Sequence, residues 1–349
     1  MWTGNFSDGS TLHTVYTGFS LLDFPLSLTP TFWTPALAQA SAIKLLSTTL
    51  YAALQSLAAW GTIEVFRLGQ KPAFLRWAPA LICLWMYTGT ALFVPFYCYY
   101  DLTRHFNTHH RNAKPSDPSV GYYQAVCIPA AALLCYIWPY YVMHYPPHGT
   151  TSSLHQTILA FNIFGGLLCY VLVLGGASFL APAQPAAIPG DIGSEAPWIK
   201  ATYAMLAIFS LSAHFEVVGD ILWSQDRSIS FSSVFVPDFW VGIFGSPTSL
   251  ESRMAPEVHF FLQWDFLIFV FSTSVWATRI VEAMYCDRKD GWAAATRAGL
   301  ILAFSLGGLL LNPGCVLSVL LYIREDFLRK EYMTSSSQAK VLAGKESSS

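Results

Sequence analysis

Apolar residues in this chain gather into runs too long for an ordinary soluble core. Eight stretches stand out, at 14–34, 44–66, 77–99, 121–143, 156–181, 199–222, 259–281 and 296–323. Each is long enough to cross about 30 Å of hydrocarbon at about 1.5 Å per helical residue. The pattern predicts an all-α, polytopic transmembrane helix bundle of seven to eight spans. The first stretch carries Asp23, Pro25 and Pro30, which suit a re-entrant segment as well as a span. The fourth contains Pro129 and Pro139, tolerated in a bundle where neighbours satisfy the freed carbonyls. Residues 1–332 read as one bundle and 333–349 as a disordered polar tail.

Composition sharpens this picture. Of 349 residues, 54% are hydrophobic and only 11% charged, against about 25% charged in an average soluble protein. That excludes a disordered chain and a nucleic-acid binder, and makes the lipid bilayer the expected surroundings. The endoplasmic reticulum is the expected membrane. The net charge of −2 adds little. Seven cysteines, an odd number with no C-x-x-C pair, argue against a disulfide framework or a zinc ribbon. The first basic residue is Lys44, so no positively charged leader is expected. Alternating the eight stretches puts Arg67, Lys71 and Arg324 on one side and Lys44, Lys200 and Arg279 on the other. The basic residues divide almost evenly, so the positive-inside rule does not set the orientation. The loop at 223–258, rich in aromatic and turn residues, suits either a cover over one mouth of the bundle or a belt at the headgroups.

Ionisable residues inside spans carry most of the functional information, because each is costly unless paired, neutralised or hydrated. Asp23, Glu64, Glu216, Asp220, Asp265 and Glu282 fall in or at the ends of apolar stretches. Asp265 sits in Phe261-Leu262-Gln263-Trp264-Asp265-Phe266, far in sequence from any base. Burial there favours a protonated carboxyl, hence a general acid; a merely structural hydrogen-bonding role is nearly as good a reading. Glu216 and Asp220, four apart, share a helix face and suit a proton acceptor or a partner to the acid. Glu64 and Glu282 lie close enough to span ends to reach water. Candidate catalytic residues are therefore Asp265, Asp23, Glu216, Asp220 and Glu64.

Aromatic residues make up 15% of the chain. A ring face stabilises a cation with which it does not react, so an aromatic cavity holding one strong acid suits carbocation chemistry. Trp264, Trp85 and Tyr87 are candidates for that wall, although most rings in a membrane bundle only pack. No aspartate cluster for magnesium and diphosphate, Walker loop or dinucleotide fingerprint occurs, so no metal or cofactor is expected. His105-x3-His109-His110 looks like one box of the membrane di-iron oxygenases, and His144-x3-His148 would be a second. Pro146-Pro147 breaks the helix that the second would need.

Three stretches resemble the fungal integral-membrane terpene cyclases of meroterpenoid pathways, in particular the larger, ascofuranone- and drimane-type members. They are Tyr16-Thr17-Gly18…Leu22-Asp23, Pro256-Glu257…Phe261-Leu262-Gln263-Trp264-Asp265 and Gly307-Gly308…Asn312-Pro313-Gly314. The resemblance implies a lipophilic, prenylated (farnesyl) phenol or polyketide as substrate. It implies protonation of an epoxide or terminal olefin, cation–olefin ring closure and an isomeric product. A transporter, an accessory membrane protein of a biosynthetic pathway, a membrane isomerase and a di-iron oxygenase stay as alternatives.

Overall fold

The computed structural model describes residues 6, 9–37, 42–69, 71, 73–107, 117–181, 193–237, 250–285 and 292–346. Among these the regular structure is helical, with one isolated antiparallel bridge between Arg67 and Val120. The main helices are α1 (Ser20–Leu37), α2 (Ala42–Phe66), α3 (Ala78–Thr88), α4 (Thr90–Asn107), α5 (Tyr122–His144) and α6 (Ser152–Leu180). They continue with α7 (Ala196–Trp223), the short α8 (Phe231–Phe235), α9 (Leu250–Tyr285), α10 (Ala294–Leu311) and α11 (Pro313–Glu346). Five stretches are long and apolar enough to cross a membrane: α5, α6, α7, α9 from Pro256, and α10. The all-α membrane-type bundle expected from the pattern is the architecture found.

Local sequence explains several boundaries. Thr151 caps α6, its hydroxyl accepting the Leu154 amide at 3.2 Å. Pro197 opens α7, where its missing amide costs nothing. A π turn at Leu133–Ile137 lies within α5 between Pro129 and Pro139. The last helix runs on to Glu346, so the polar stretch from 333 is helical to that point rather than an irregular tail.

α2 is the axis of the bundle, buried from Leu46 to Glu64. Trp60 and Trp276 lie fully inside, with ring centroids 4.7 Å apart. By contrast α10 has only Gly308 buried along its apolar length, as a helix at the lipid-facing edge of a bundle would.

Two features depart from the sequence reading. The apolar stretch 77–99 is not one span. Run straight, it would separate Ala78 from Tyr97 by about 28 Å. Yet a Cβ placed on Gly61 would lie 3.1 Å from the Ala78 Cβ and 3.6 Å from the Tyr97 hydroxyl. The chain therefore reverses between them, at Gly89 with φ +82°, and α3–α4 is a re-entrant hairpin. A second reversal comes at Asn312, φ +78°, where the stretch 296–323 divides into α10 and α11. There Asn312 accepts the Gly314 amide at 2.8 Å and donates to the Thr49 carbonyl at 3.0 Å. Asparagine is one of the few residues with a side chain that visits this backbone region readily.

These reversals also correct the assignment of charges to sides. Lys200 pairs with Asp326 at 2.7 Å, two residues from Arg324, and Arg324 shares Glu64 with Arg67. Arg67, Lys200 and Arg324 thus meet at one end, although alternation had put Lys200 opposite the other two. α1 does not cross the bundle. Leu26 packs on Ala160 and Ile163, while Trp33 and Phe32 meet Tyr51 and Phe261 at 5.7 and 6.0 Å. All these partners belong to the half where α2, α6 and the apolar part of α9 begin, so α1 lies across that end.

Candidate active site

At the opposite end lies a group of buried charges. Glu64 accepts from Arg67 Nε at 2.8 Å and from Arg324 Nη1 at 3.2 Å. Arg324 also donates to Asp101 at 2.9 Å, whose second oxygen takes the Trp276 indole N–H at 2.8 Å. Arg67 reaches Glu325 at 2.6 Å, and Arg329 ties Glu325 to Glu195, the latter at 2.9 Å. Glu64, Asp101 and Arg67 side chains are at 0% exposure. Burial opposes ionisation of Glu325, but the Arg67 and Arg329 guanidiniums hold its carboxyl below the ordinary range. These pairs link α2, α4, α7 and α11 to one another, and removing one partner would leave a buried charge uncompensated. Glu64, a candidate proton donor from sequence, is committed to two arginines.

Asp265 has different surroundings. It is buried within α9, and its oxygens accept the Thr90 and Ala91 amides at 3.1 and 2.8 Å. Those are the first amides of α4, so Asp265 caps the returning arm of the hairpin from another helix. Gly89 makes the approach possible: a Cβ there would fall 2.9 Å from Asp265 Oδ1, besides striking Phe261. No ion pair to Asp265 occurs among the described residues. Each carboxyl oxygen has two lone pairs, so a proton on either one is compatible with both amide bonds.

The other sequence candidates are dispersed. Asp23 takes the Tyr16, Thr17 and Gly18 amides at 2.7 to 3.1 Å and the Thr17 hydroxyl at 2.8 Å. It anchors the turn that leads into α1. Glu216 is exposed and accepts the Tyr145 hydroxyl at 2.7 Å; Asp220 lies one turn on, also exposed. Neither makes a hydrogen bond to Asp265. Glu282, at the far end of α9, is held by Arg279 and Arg297, both at 2.6 Å. Trp85 is buried and lines two small voids of ≈ 10 and ≈ 20 Å³, which also share Ile82. Trp264 is half-buried, its ring edge-on to Phe260 at 6.3 Å. The side chains of Tyr87, His105, His109 and His110 lie outside the described residues. A larger open cavity, ≈ 510 Å³, lies at the mouth between α8 and α9, beside Ser232, Ser233, His259 and Gln263.

Sequence reasoning missed Asp101, Glu195 and Glu325 as buried groups. For Glu325 the signal was present in the spacing, since Arg329 follows it by four residues.

A family model described as the CtvD domain matches residues 4–329. The chain belongs to this family. This CtvD-domain protein is also 24% identical, over 339 residues, to the terpene cyclase DEP1 of Fusarium langsethiae, covering 93% of this chain and 89% of the relative. No solved structure matches it. The cyclase family expected from the three stretches is thus the one to which the CtvD-domain protein is related.

Proposed function

We propose that this CtvD-domain protein is a membrane-bound terpene cyclase that initiates ring closure with a proton from Asp265. The substrate class is a prenylated, farnesyl-type phenol or polyketide with a terminal epoxide or olefin. The observation that carries this reading is the hairpin tip: a buried carboxyl, held in place by two backbone amides and not committed to a cation.

The chemistry follows from that placement. A protonated Asp265 gives its proton to the epoxide oxygen as the C–O bond breaks, or to the terminal alkene carbon. The positive charge then sits on the more substituted carbon, and a neighbouring double bond attacks it. The cascade ends when a carbon, or a substrate hydroxyl that has captured the cation, loses a proton that returns to the Asp265 carboxylate, so the product has the mass of the substrate. The carboxylate left on Asp265 keeps both amide bonds, and these stabilise it as the proton departs. Aromatic side chains such as Phe261 and Trp85 provide ring faces for the cation. No metal or cofactor is part of this proposal. The endoplasmic reticulum is the membrane in which we expect the enzyme to work.

Yeast microsomes carrying the full chain, fed a farnesylated phenol and its terminal epoxide, test this by LC–MS. A new peak of unchanged mass, absent with Asp265→Asn, is the expected result. A peak heavier by one oxygen would replace the cyclase with an oxygenase, and uptake without chemical change would replace it with a transporter.

A further inference from the structure

Around the ring of Tyr51 two buried polar atoms, Trp33 Nε1 and His144 Nε2, have no hydrogen-bond partner, and a third, Tyr140 OH, has only the Tyr145 hydroxyl near it, beyond ordinary hydrogen-bond geometry. The rings of these residues lie 5.7, 5.7 and 6.4 Å from that of Tyr51. Leaving such atoms unpaired costs about 1–3 kcal/mol each, so a packed interior rarely keeps several together. His144 is the informative one. Its Nδ1 lies 3.1 Å from the Tyr140 carbonyl oxygen, which has no proton to give. Nδ1 therefore carries the hydrogen, and Nε2 presents a bare lone pair. Tyr140, four residues earlier on the same face of α5, offers an O–H. An acceptor and a donor thus sit side by side, with ring centroids 4.5 Å apart, enclosed by Tyr51 and Phe209. Tyr51 also lines the ≈ 20 Å³ void against Trp85, so the place adjoins the interior space near the hairpin.

We propose that His144 and Tyr140 bind a hydroxyl group of the lipophilic substrate, an alcohol or phenol, which donates to His144 Nε2 and accepts from Tyr140. This rests on the cyclase reading and extends it: His144 closes α5 at the membrane boundary, so the polar head of the substrate sits there and its prenyl chain runs inward. His144 is thereby a specificity-determining residue, since a site built around a hydroxyl rejects the analogue that lacks its proton.

The test uses the full chain in lipid nanodiscs and two probes, a farnesylated phenol and its methyl ether. The ether keeps the oxygen but has no proton for His144. Wild type binds the phenol about tenfold tighter, the worth of one hydrogen bond. His144→Leu abolishes that preference while binding the ether as wild type does, which also certifies its fold. Tyr140→Phe weakens both probes and leaves the preference. Equal binding of the two probes by wild type, or a preference that survives in His144→Leu, overturns the proposal. If wild type still converts the phenol in either case, the cyclase reading stands alone; if it neither binds nor converts either probe, both fall.

Discussion

The two ends of the hairpin's environment hold buried acids of opposite kinds. Near its base, Glu64, Asp101, Glu195 and Glu325 are knitted to Arg67, Arg324 and Arg329. At its tip, Asp265 accepts the backbone amides of Thr90 and Ala91 and pairs with no cation among the described residues. An arginine keeps its charge at any working pH, so it favours the anionic form of a carboxylate against it. Amides hold a carboxyl in place and leave its protonation free to change. Burial alone therefore does not mark a catalytic acid; the nature of the partner decides.

The largest expected effect comes from breaking the base. Arg324→Met leaves Asp101 and part of Glu64 buried without their cation, at a cost of about 3–5 kcal/mol. Folded yield and thermal stability in detergent should collapse. Adding Asp101→Asn should restore part of the loss, because the orphaned charge is then gone. If Arg324→Met were as stable as wild type, the cluster would not be holding the helices together.

Asp265→Asn should act the other way round. The side chain keeps one acceptor for the amides, so stability falls by about 1–2 kcal/mol. Product formation should fall by about 10²–10⁴-fold, the usual worth of a positioned general acid. Rates and melting temperatures measured on the same preparation separate the two. Gly89→Ala is expected to be intermediate. Its positive φ and the Cβ contact with Asp265 Oδ1 cost about 1–3 kcal/mol, and the displaced tip moves the acid. An alanine variant with unaltered activity would show that the tip does not position Asp265.

Acid should also distinguish the two regions. Arg67 and Arg329 keep the Glu325 carboxyl below its ordinary value, about 4.3, despite burial. The unfolded chain therefore binds a proton that the folded one refuses as pH drops past that value. The stabilisation from Glu325 is complete above it and is lost as pH falls toward the folded value. Melting temperature against pH, from 7 down to 3, should show this loss, and Glu325→Gln should flatten it.

Much of the architecture was readable in the pattern of apolar runs, because burying helices in lipid demands length and hydrophobicity and little else. The hairpin was not. Residues 77–99 are apolar except for Thr88-Gly89-Thr90, a break too short to end a span in hydropathy; the positive φ of Gly89 and the approach of Ala78 and Tyr97 to Gly61 reveal the reversal. For the same reason Lys200 was placed on the wrong side. Asp265 was conspicuous from its aromatic neighbours, but its amide partners come from 174 and 175 residues away. Asp101 lay in a stretch that reads as a loop, and the arginines around it register in sequence only as span flanks.

The smallest expected effect belongs to Glu216. It is exposed, and its hydrogen bond from Tyr145 survives in Glu216→Gln, whose side-chain carbonyl accepts the same hydroxyl. Removing one charge at such a place changes stability by about 0.5 kcal/mol or less. If protonation depends on Asp265 alone, product formation by this variant should stay within about threefold of wild type, since no step of the chemistry uses a second carboxylate. A loss comparable to that of Asp265→Asn would mean that an exposed acid also handles the proton. The division between arginine-bound and amide-bound acids would then have to admit a third class, reached through Tyr145 from the mouth of the bundle.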